Sequence, residues 1–212
     1  MGRRFFCIFA EKNTYRQSRM NITIIGAGNI GGALARGWYK ADAGLGITVS
    51  GVHWEKLNKI KADCPDVRVM VGNGEATREA DIIIIAVKPW QVKTVLTDIK
   101  DSMRRDQLLI SLAAGVSLKS LNDDIDQLGC PHPQVFHAMP NIAAQFCESM
   151  TFICPSEGID PTVTKQVEEL FSHVGNVFTT GEQLVGPGML MASCGIAYVM
   201  RFLRVQTEAG VE

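Results

Sequence analysis

A glycine-rich segment near the start of the chain constrains the fold more than any other feature. Residues 21–32 read N-I-T-I-I-G-A-G-N-I-G-G, in which three isoleucines form a short apolar run typical of a buried parallel strand. Gly26, Gly28 and Gly31 give the spacing G-x-G-x-x-G, and residues 33–39 continue with the spacing of a helix. The segment therefore predicts a strand, a tight turn and a helix.

This strand–turn–helix unit is typical of a dinucleotide site. The first glycine permits the turn, the second lets the backbone approach a pyrophosphate, and the third lets the helix pack against the strand. The free N–H groups at the start of the helix then face the diphosphate. The alternative interpretation is a glycine-rich turn that binds nothing.

The rest of the chain alternates between strand-like and helix-like segments, which predicts an α/β fold: a Rossmann-like, doubly wound, mainly parallel sheet followed by the start of an α-helical domain. The predicted strands are 22–25, 47–49, 67–71, 81–87, 107–111, 134–138, 150–154 and 176–179, and the predicted helices are 33–39, 54–62, 75–79, 90–99, 118–125 and 161–173. Ligands of such sheets lie beyond the carboxyl ends of the strands.

The end of the second strand bears on the choice between the two nicotinamide cofactors. NAD sites usually place an acid here to bind the ribose hydroxyls. This strand instead ends in Ser50 and Gly51, and the nearest acid, Glu55, falls in the next helix. The sequence therefore favours NADP, with NADPH preferred, and leaves NAD as an alternative. Ser50 and His53 are also interpretable as an ordinary turn and helix cap.

Composition excludes several other classes. The net charge of −1 gives no basic footprint for nucleic acid. The six cysteines show no C-x-x-C spacing, which predicts buried thiols, no metal site and a cytoplasmic protein. We also expect no membrane association, because no apolar run approaches the length of a membrane span.

The two ends of the chain differ from its middle. Residues 1–19 are interpreted as a disordered N-terminal extension, since their apolar part is too short for a signal peptide. Residues 20–180 are predicted to form the NAD(P)-binding domain, and 181–212 to begin a helical dimerisation and substrate domain. Residues 182–207 are apolar on nearly every face, which implies burial by a partner chain or by further sequence.

Several segments occurring together resemble the pyrroline-5-carboxylate reductase family: G-A-G-N-I-G, D-I-I-I-I-A-V-K-P, S-L-A-A-G-V-S-L, H-A-M-P-N and A-S-C-G-I-A-Y-V. The resemblance runs from about Met20 to the last residue. It implies NADPH- or NADH-dependent reduction of 1-pyrroline-5-carboxylate to proline, the last step of proline biosynthesis. It also implies a homo-oligomer assembled through the C-terminal helices.

The predicted site residues come from the motif and from this resemblance. The candidate cofactor contacts are Ile25, Gly26, Ala27, Gly28, Asn29, Ile30, Gly31, Ser50, Gly51, Asn73, Ala86, Val87, Lys88, Pro89, Leu112, Ala113 and Ala114. Pro140 and Asn141 are the candidate substrate contacts. Lys88 either contacts the cofactor or holds the strand-end turn. No catalytic residue is assigned: His137 lies in a predicted strand, and Cys194 is interpreted as a packed helix thiol.

The chain departs from the family pattern at Met189, Cys194 and Ile196, and at Ile142 and Ala143 after M-P-N. The family's later C-terminal helices, which carry a substrate-anchoring motif, have no counterpart in these 212 residues. We therefore expect these residues alone to bind NADPH but to reduce 1-pyrroline-5-carboxylate negligibly. The alternatives are an NADP-binding protein without turnover, or another NADP-dependent reductase of the hydroxyacid dehydrogenase type.

Overall fold

The computed structural model describes residues 19–211. The predicted N-terminal extension, including Cys7, therefore lies outside the described residues except for Arg19.

Eight strands form one sheet in the order β3-β2-β1-β4-β5-β6-β7-β8, and every neighbouring pair is parallel except β6 and β7. The strands are β1 Asn21–Ile25, β2 Gly46–Ser50, β3 Arg68–Met70, β4 Ile82–Ile85, β5 Leu108–Ser111, β6 Gln134–Met139, β7 Ser149–Pro155 and β8 Gly175–Thr179. This confirms the predicted doubly wound sheet. The chain order reverses beside β1, which creates the crevice where such sheets bind ligands.

Helices cover both faces of this sheet. In chain order the helices of the protein are α1 Asn29–Lys40, α2 Trp54–Asp63, α3 Asn73–Arg78, α4 Val92–Ile99, α5 Leu118–Gln127, α6 Pro161–Ser172, α7 Glu182–Met189 and α8 Gly195–Ala209, of which α8 does not cover the sheet. Each face has its own apolar core. On one face α1 packs against α6: the Trp38 ring lies 5.5 Å from that of Phe171, and its indole N–H donates to the Leu170 carbonyl at 2.9 Å.

The central strand β4 shows why the apolar runs form this sheet. Its four isoleucines are all buried, because helices cover both faces and leave no solvent side for polar residues. The predicted strand, 81–87, is longer: residue 81 precedes the observed strand, and residues 86 and 87 follow it. The helix predicted from Trp90 is also divided, since Pro89–Gln91 forms a 3-10 turn before α4.

The C-terminal helical segment behaves differently from the rest of the chain. α7, a π-helical turn at Leu190–Cys194 and α8 form one continuous 28-residue helix, Glu182–Ala209, whose most apolar window is only 6% buried. By length and composition this helix could cross a membrane. The expectation that no apolar run approaches such a length was therefore wrong, because several small and weakly polar residues within the helix hide its apolar character.

Candidate cofactor site

The glycine turn has the geometry of a nucleotide-binding turn. Gly26 has φ +118°, and a Cβ built on it would lie 2.5 Å from the Ala86 carbonyl oxygen; one built on Gly31 would lie 2.0 Å from the Gly26 oxygen. Both glycines thus permit close packing of turn, strand and helix. Gly28 differs, since no heavy atom of residues 19–211, its chain neighbours aside, lies within 4 Å of such a Cβ. The backbone at Gly28 therefore borders open space.

Helix α1 begins directly at this open space. Gly28 is its N-cap, and the first turn consists of Asn29, Ile30, Gly31 and Gly32, none of which carries a charge. The first N–H groups of a helix have no partner within it and, together with the helix dipole, favour an anion. This arrangement suits a diphosphate, as the sequence predicts.

The sheet register brings the other predicted contacts to the same edge. Ile25 is level with Ser50 and Ile85, and Ile85 is level with Ser111. The loops that follow are joined by backbone hydrogen bonds: Gly26 N–H to Ser50 O at 2.8 Å, and Leu112 N–H to Ile85 O at 2.9 Å. The turns after β1, β2, β4 and β5 therefore lie together, and β6, parallel to β5, adds Pro140 and Asn141.

Burial divides these predicted contacts into two groups. Ile25, Gly31, Ser50, Ala113, Pro140 and Asn141 are buried, whereas Gly26, Ala27, Gly28, Asn29, Ile30, Gly51, Asn73, Ala86, Val87, Lys88, Pro89, Leu112 and Ala114 are exposed or half-buried. The second group can reach a ligand directly. The first group supports the turns from behind.

Lys88 illustrates the two roles left open by the sequence. Its carbonyl accepts from the Gln91 N–H at 2.9 Å, and its own N–H donates to the Gln91 Oε1 at 3.3 Å. The turn is thus closed by the backbone of Lys88, while its side chain is exposed. The ammonium remains available for a ligand at the strand end.

Ser50 connects the end of β2 to two other elements. Its side chain is fully buried, and its hydroxyl donates to the Asn73 Oδ1 at 2.9 Å. The Asn73 amide donates in turn to the Asp98 carboxylate at 3.1 Å. Sequence reasoning missed Asp98, because an exposed acid in an amphipathic helix has no local feature that marks it.

His137 is buried in β6, level with Ser111 of β5. Among the described residues, neither ring nitrogen has a hydrogen-bond partner that meets the usual distance and angle limits. Burial lowers the pKa of His137, and the Glu182 carboxylate and the Ala113 backbone oppose that change only partly. The ring is therefore held neutral in a supporting position. His53, by contrast, is exposed and lies at the N-cap of α2.

Asn141 links the sheet to the C-terminal helix. Its amide N–H donates to the Ala192 carbonyl at 2.8 Å, within the π-helical turn, and its oxygen accepts from the Ala143 N–H at 3.0 Å. Turns of this type recur at functional sites. The side chain thus positions the helix against the strand end, a contact between residues 51 positions apart that no local pattern predicts.

Cysteines and acids form no metal site in the part of the chain described: no cluster of three or more potential ligands occurs between residues 19 and 211. Cys64, Cys130 and Cys154 are buried, and burial raises the pKa of each thiol. Cys147 and Cys194 are half-buried. This agrees with the expectation of mostly packed thiols.

Comparisons with known proteins agree with this geometry. The model of a family described as NADP oxidoreductase coenzyme F420-dependent matches residues 21–115. A pyrroline-5-carboxylate reductase from Escherichia coli is 29% identical over 195 residues, covering 90% of this chain and 70% of that protein. The crystal structure of Plasmodium falciparum pyrroline carboxylate reductase with NADP bound has a TM-score of 0.77 at 26% identity, covering 91% of this chain and 69% of that one.

The pyrroline-5-carboxylate reductase from Methanosarcina acetivorans is 32% identical over 192 residues, which cover 90% of this chain and 69% of that protein. The similarity extends beyond the nucleotide-binding turn into the C-terminal half of the chain. The protein therefore belongs to the pyrroline-5-carboxylate reductase family.

Proposed function

We propose that this protein binds NADPH at the carboxyl edge of its sheet and reduces 1-pyrroline-5-carboxylate to L-proline. The observation that carries the proposal is the glycine turn: two glycines close its packing, and the third borders open space at the start of an uncapped helix. A diphosphate needs this combination of close backbone approach and free N–H groups.

The residues of this chain mainly bind the cofactor and orient it toward the substrate. The backbone at Gly28 and the first turn of α1 would hold the diphosphate, and the loops at Ala86–Pro89 and Leu112–Ala114 would border the rest of the cofactor. When bound, reduced nicotinamide supplies a hydride for the imine carbon. Holding the imine carbon at reacting distance makes the transfer effectively unimolecular. A substrate that arrives with its imine nitrogen protonated needs no acid from the protein.

The substrate end of the site is proposed to lie at Pro140 and Asn141. Both are buried at the end of β6, and Asn141 bonds to the π-helical turn. Since its amide oxygen and one amide N–H already bond within the protein, Asn141 is proposed to position the C-terminal helix rather than to bind the substrate. His137 is buried and supports the Ala113 loop, so it is not proposed as the general acid. No general acid is assigned.

Residues 20–180 are proposed to form the nucleotide-binding domain and residues 181–212 the start of a helical dimerisation and substrate domain. The exposed side chains of the continuous helix, among them Met191, Tyr198 and Phe202, favour a homo-oligomer covered by a partner helix. We therefore retain a cytoplasmic protein without membrane association.

The test is a direct assay of proline formation from 1-pyrroline-5-carboxylate, with NADPH and with NADH. This proposal predicts proline formation with both cofactors, in contrast to the negligible turnover expected of these 212 residues from the sequence, and tighter binding of NADPH than of NADH, measured by nicotinamide fluorescence. Binding without any proline formation would favour the alternative of an NADP-binding protein without turnover. Oxidation of hydroxyacids in place of imine reduction would favour the hydroxyacid dehydrogenase alternative.

A further inference from the structure

We propose that Asp98 is a specificity-determining residue that holds a negative charge beside the 2′ end of the cofactor and so limits the preference for NADPH over NADH. The inference rests on the proposed function, because it needs the cofactor at this edge of the sheet. It starts from two hydrogen bonds: Ser50 donates to Asn73 at 2.9 Å, and Asn73 donates to Asp98 at 3.1 Å.

The carboxylate determines the direction of this network. An ionised carboxylate only accepts hydrogen bonds, so the NH₂ group of Asn73 must face Asp98. The amide oxygen of Asn73 then faces Ser50, whose hydroxyl must donate. A hydroxyl both donates and accepts, so Ser50 by itself could not orient the amide. The second N–H of Asn73 is left for another acceptor.

The network lies where the 2′ end of a dinucleotide is expected. Ser50 is the last residue of β2, the place where dinucleotide sites usually carry the residue that reads the 2′ position. Ser50 is fully buried, whereas Asn73 is half-exposed, so Asn73 is the group that can meet a ligand. Asp98 thus brings from α4 the acid that β2 lacks.

Close packing keeps Asp98 in this place. A Cβ built on Gly74 would lie 3.1 Å from the Asp98 carbonyl oxygen and 3.3 Å from the Ser102 Oγ. The absence of a side chain at Gly74 therefore lets the start of α3 approach the end of α4. This packing holds the Asp98 backbone close to α3, and the hydrogen bond at 3.1 Å places its carboxylate beside Asn73.

Removing the Asp98 charge would have two opposing effects on NADPH affinity, and the larger one decides whether binding becomes stronger or weaker. A 2′-phosphate that accepts from the second N–H of Asn73 would lie roughly 5 Å from the Asp98 carboxylate, because the two acceptors would share one NH₂ group. At that distance a carboxylate exposed to water disfavours a 2′-phosphate by about threefold to tenfold. Loss of the amide orientation would cost only about twofold if two orientations became equally populated. Repulsion is the larger effect, so removing the charge should strengthen NADPH binding.

The experiment measures the dissociation constants of NADPH and NADH for the full chain and for Asp98→Asn by fluorescence titration. We expect the variant to bind NADPH about threefold to tenfold more tightly and NADH within about twofold of the parent protein. The difference should shrink at about 1 M salt, where the Debye length is about 3 Å. If Asp98→Asn fails to fold, Asp98→Ser takes its place and should likewise bind NADPH more tightly than the parent protein.

Two further variants separate a local charge from general effects. Asp98→Glu keeps a carboxylate and should keep the parental ratio of affinities. Asp123→Asn removes another exposed charge, on α5, and should also leave the ratio unchanged. Thermal unfolding of each variant checks the fold.

Three results would overturn the inference: an unchanged ratio, equal weakening of both cofactors, or a lowered NADPH preference in Asp98→Asn. Each of these can occur while the parent protein still binds NADPH, and then only the role of Asp98 is lost. A parent protein that binds neither cofactor would instead remove the proposed function, and this inference with it.

Discussion

At the scale of single residues, Gly28 separates ligand binding from folding. Its φ of −79° suits any residue, and a Cβ there meets only open space. We expect Gly28→Ala to weaken NADPH binding at least about tenfold, or about 1.4 kcal/mol, because the added methyl group occupies the path of the diphosphate. The melting temperature should change little, since alanine strains no contact. Fluorescence titration and thermal unfolding measure the two effects.

Two other glycines serve as controls for Gly28. Gly186→Ala also adds a methyl group in open space, but far along the chain within α7; it should leave the NADPH affinity unchanged and raise the stability by about 0.5–1 kcal/mol, because alanine replaces glycine inside a helix. Gly31→Ala should destabilise the fold itself, because its Cβ would lie 2.0 Å from a backbone oxygen. Unchanged NADPH affinity in a well-folded Gly28→Ala protein would show that the diphosphate binds elsewhere.

His137 should make stability depend on pH. Burial lowers its pKa in the folded protein below the ordinary value of 6.5, so near and below that pH the unfolded chain binds more protons than the folded chain. The free energy of unfolding must then fall as the pH is lowered through this range and recover above it. Urea unfolding between about pH 5 and about pH 8 should show this slope.

Substitution assigns the slope to this ring. His137→Phe removes the titrating group and should flatten that part of the profile, whereas His53→Gln, at an exposed position, should leave it unchanged. A His137→Phe protein with the parental slope would place the responsible proton on another group.

At the scale of elements, α1 is held against the 3-10 turn Ile142–Phe146 by backbone contact. A Cβ built on Gly37 would lie 2.1 Å from the Ala144 carbonyl oxygen and 2.9 Å from the Val174 Cγ1. We expect Gly37→Ala to destabilise the protein by about 2 kcal/mol or more, because neither backbone can yield without moving a whole element. The shift in the urea midpoint measures this cost.

The control for this contact lies in the same helix. A Cβ on Gly32 would meet only the mobile end of Arg36, at 2.8 Å, and Gly32→Ala should therefore cost much less. Equal destabilisation by both variants would trace the effect to α1 itself rather than to its packing on the turn. The turn directly follows Asn141, so Gly37→Ala should also raise the KM for 1-pyrroline-5-carboxylate.

At the scale of the whole molecule, the continuous helix Glu182–Ala209 leaves a large apolar surface in water. Met191 is 81% and Tyr198 74% exposed, and they belong to a series of exposed apolar side chains along the helix, which is typical of an interaction surface. We expect the protein to self-associate through this helix. The double variant Met191→Glu with Phe202→Glu should weaken association at least about tenfold, or about 1.4 kcal/mol, because it places charges in an apolar contact.

Sedimentation velocity over a range of concentrations measures this association. Lys165→Glu, which changes an exposed charge on α6, should leave it unaffected. Flotation with lipid vesicles tests whether a membrane, rather than a partner helix, covers this helix. Binding to vesicles by a chain that stays monomeric would contradict the proposed oligomer and favour membrane association.

Local physics made much of this fold predictable. The isoleucine runs of β1 and β4 are β-branched and apolar without interruption, which suits only strands covered on both faces. The G-x-G-x-x-G spacing predicts the turn through the steric demands of three backbone positions, two of which admit no Cβ in the structure. All eight strands were expected near their observed positions, and with them the edge of the sheet that carries the candidate site.

Only the tertiary structure decided which side chains meet. Ser50 was expected to face the cofactor; the structure buries it and places its hydroxyl on Asn73, with Asp98 behind. The antiparallel pairing of β6 with β7 was likewise not apparent, and neither was the bond from Asn141 to the π-helical turn. Periodicity and turn chemistry act over a few neighbouring residues. Contacts between distant side chains depend instead on how helices and strands pack, which a local pattern does not contain.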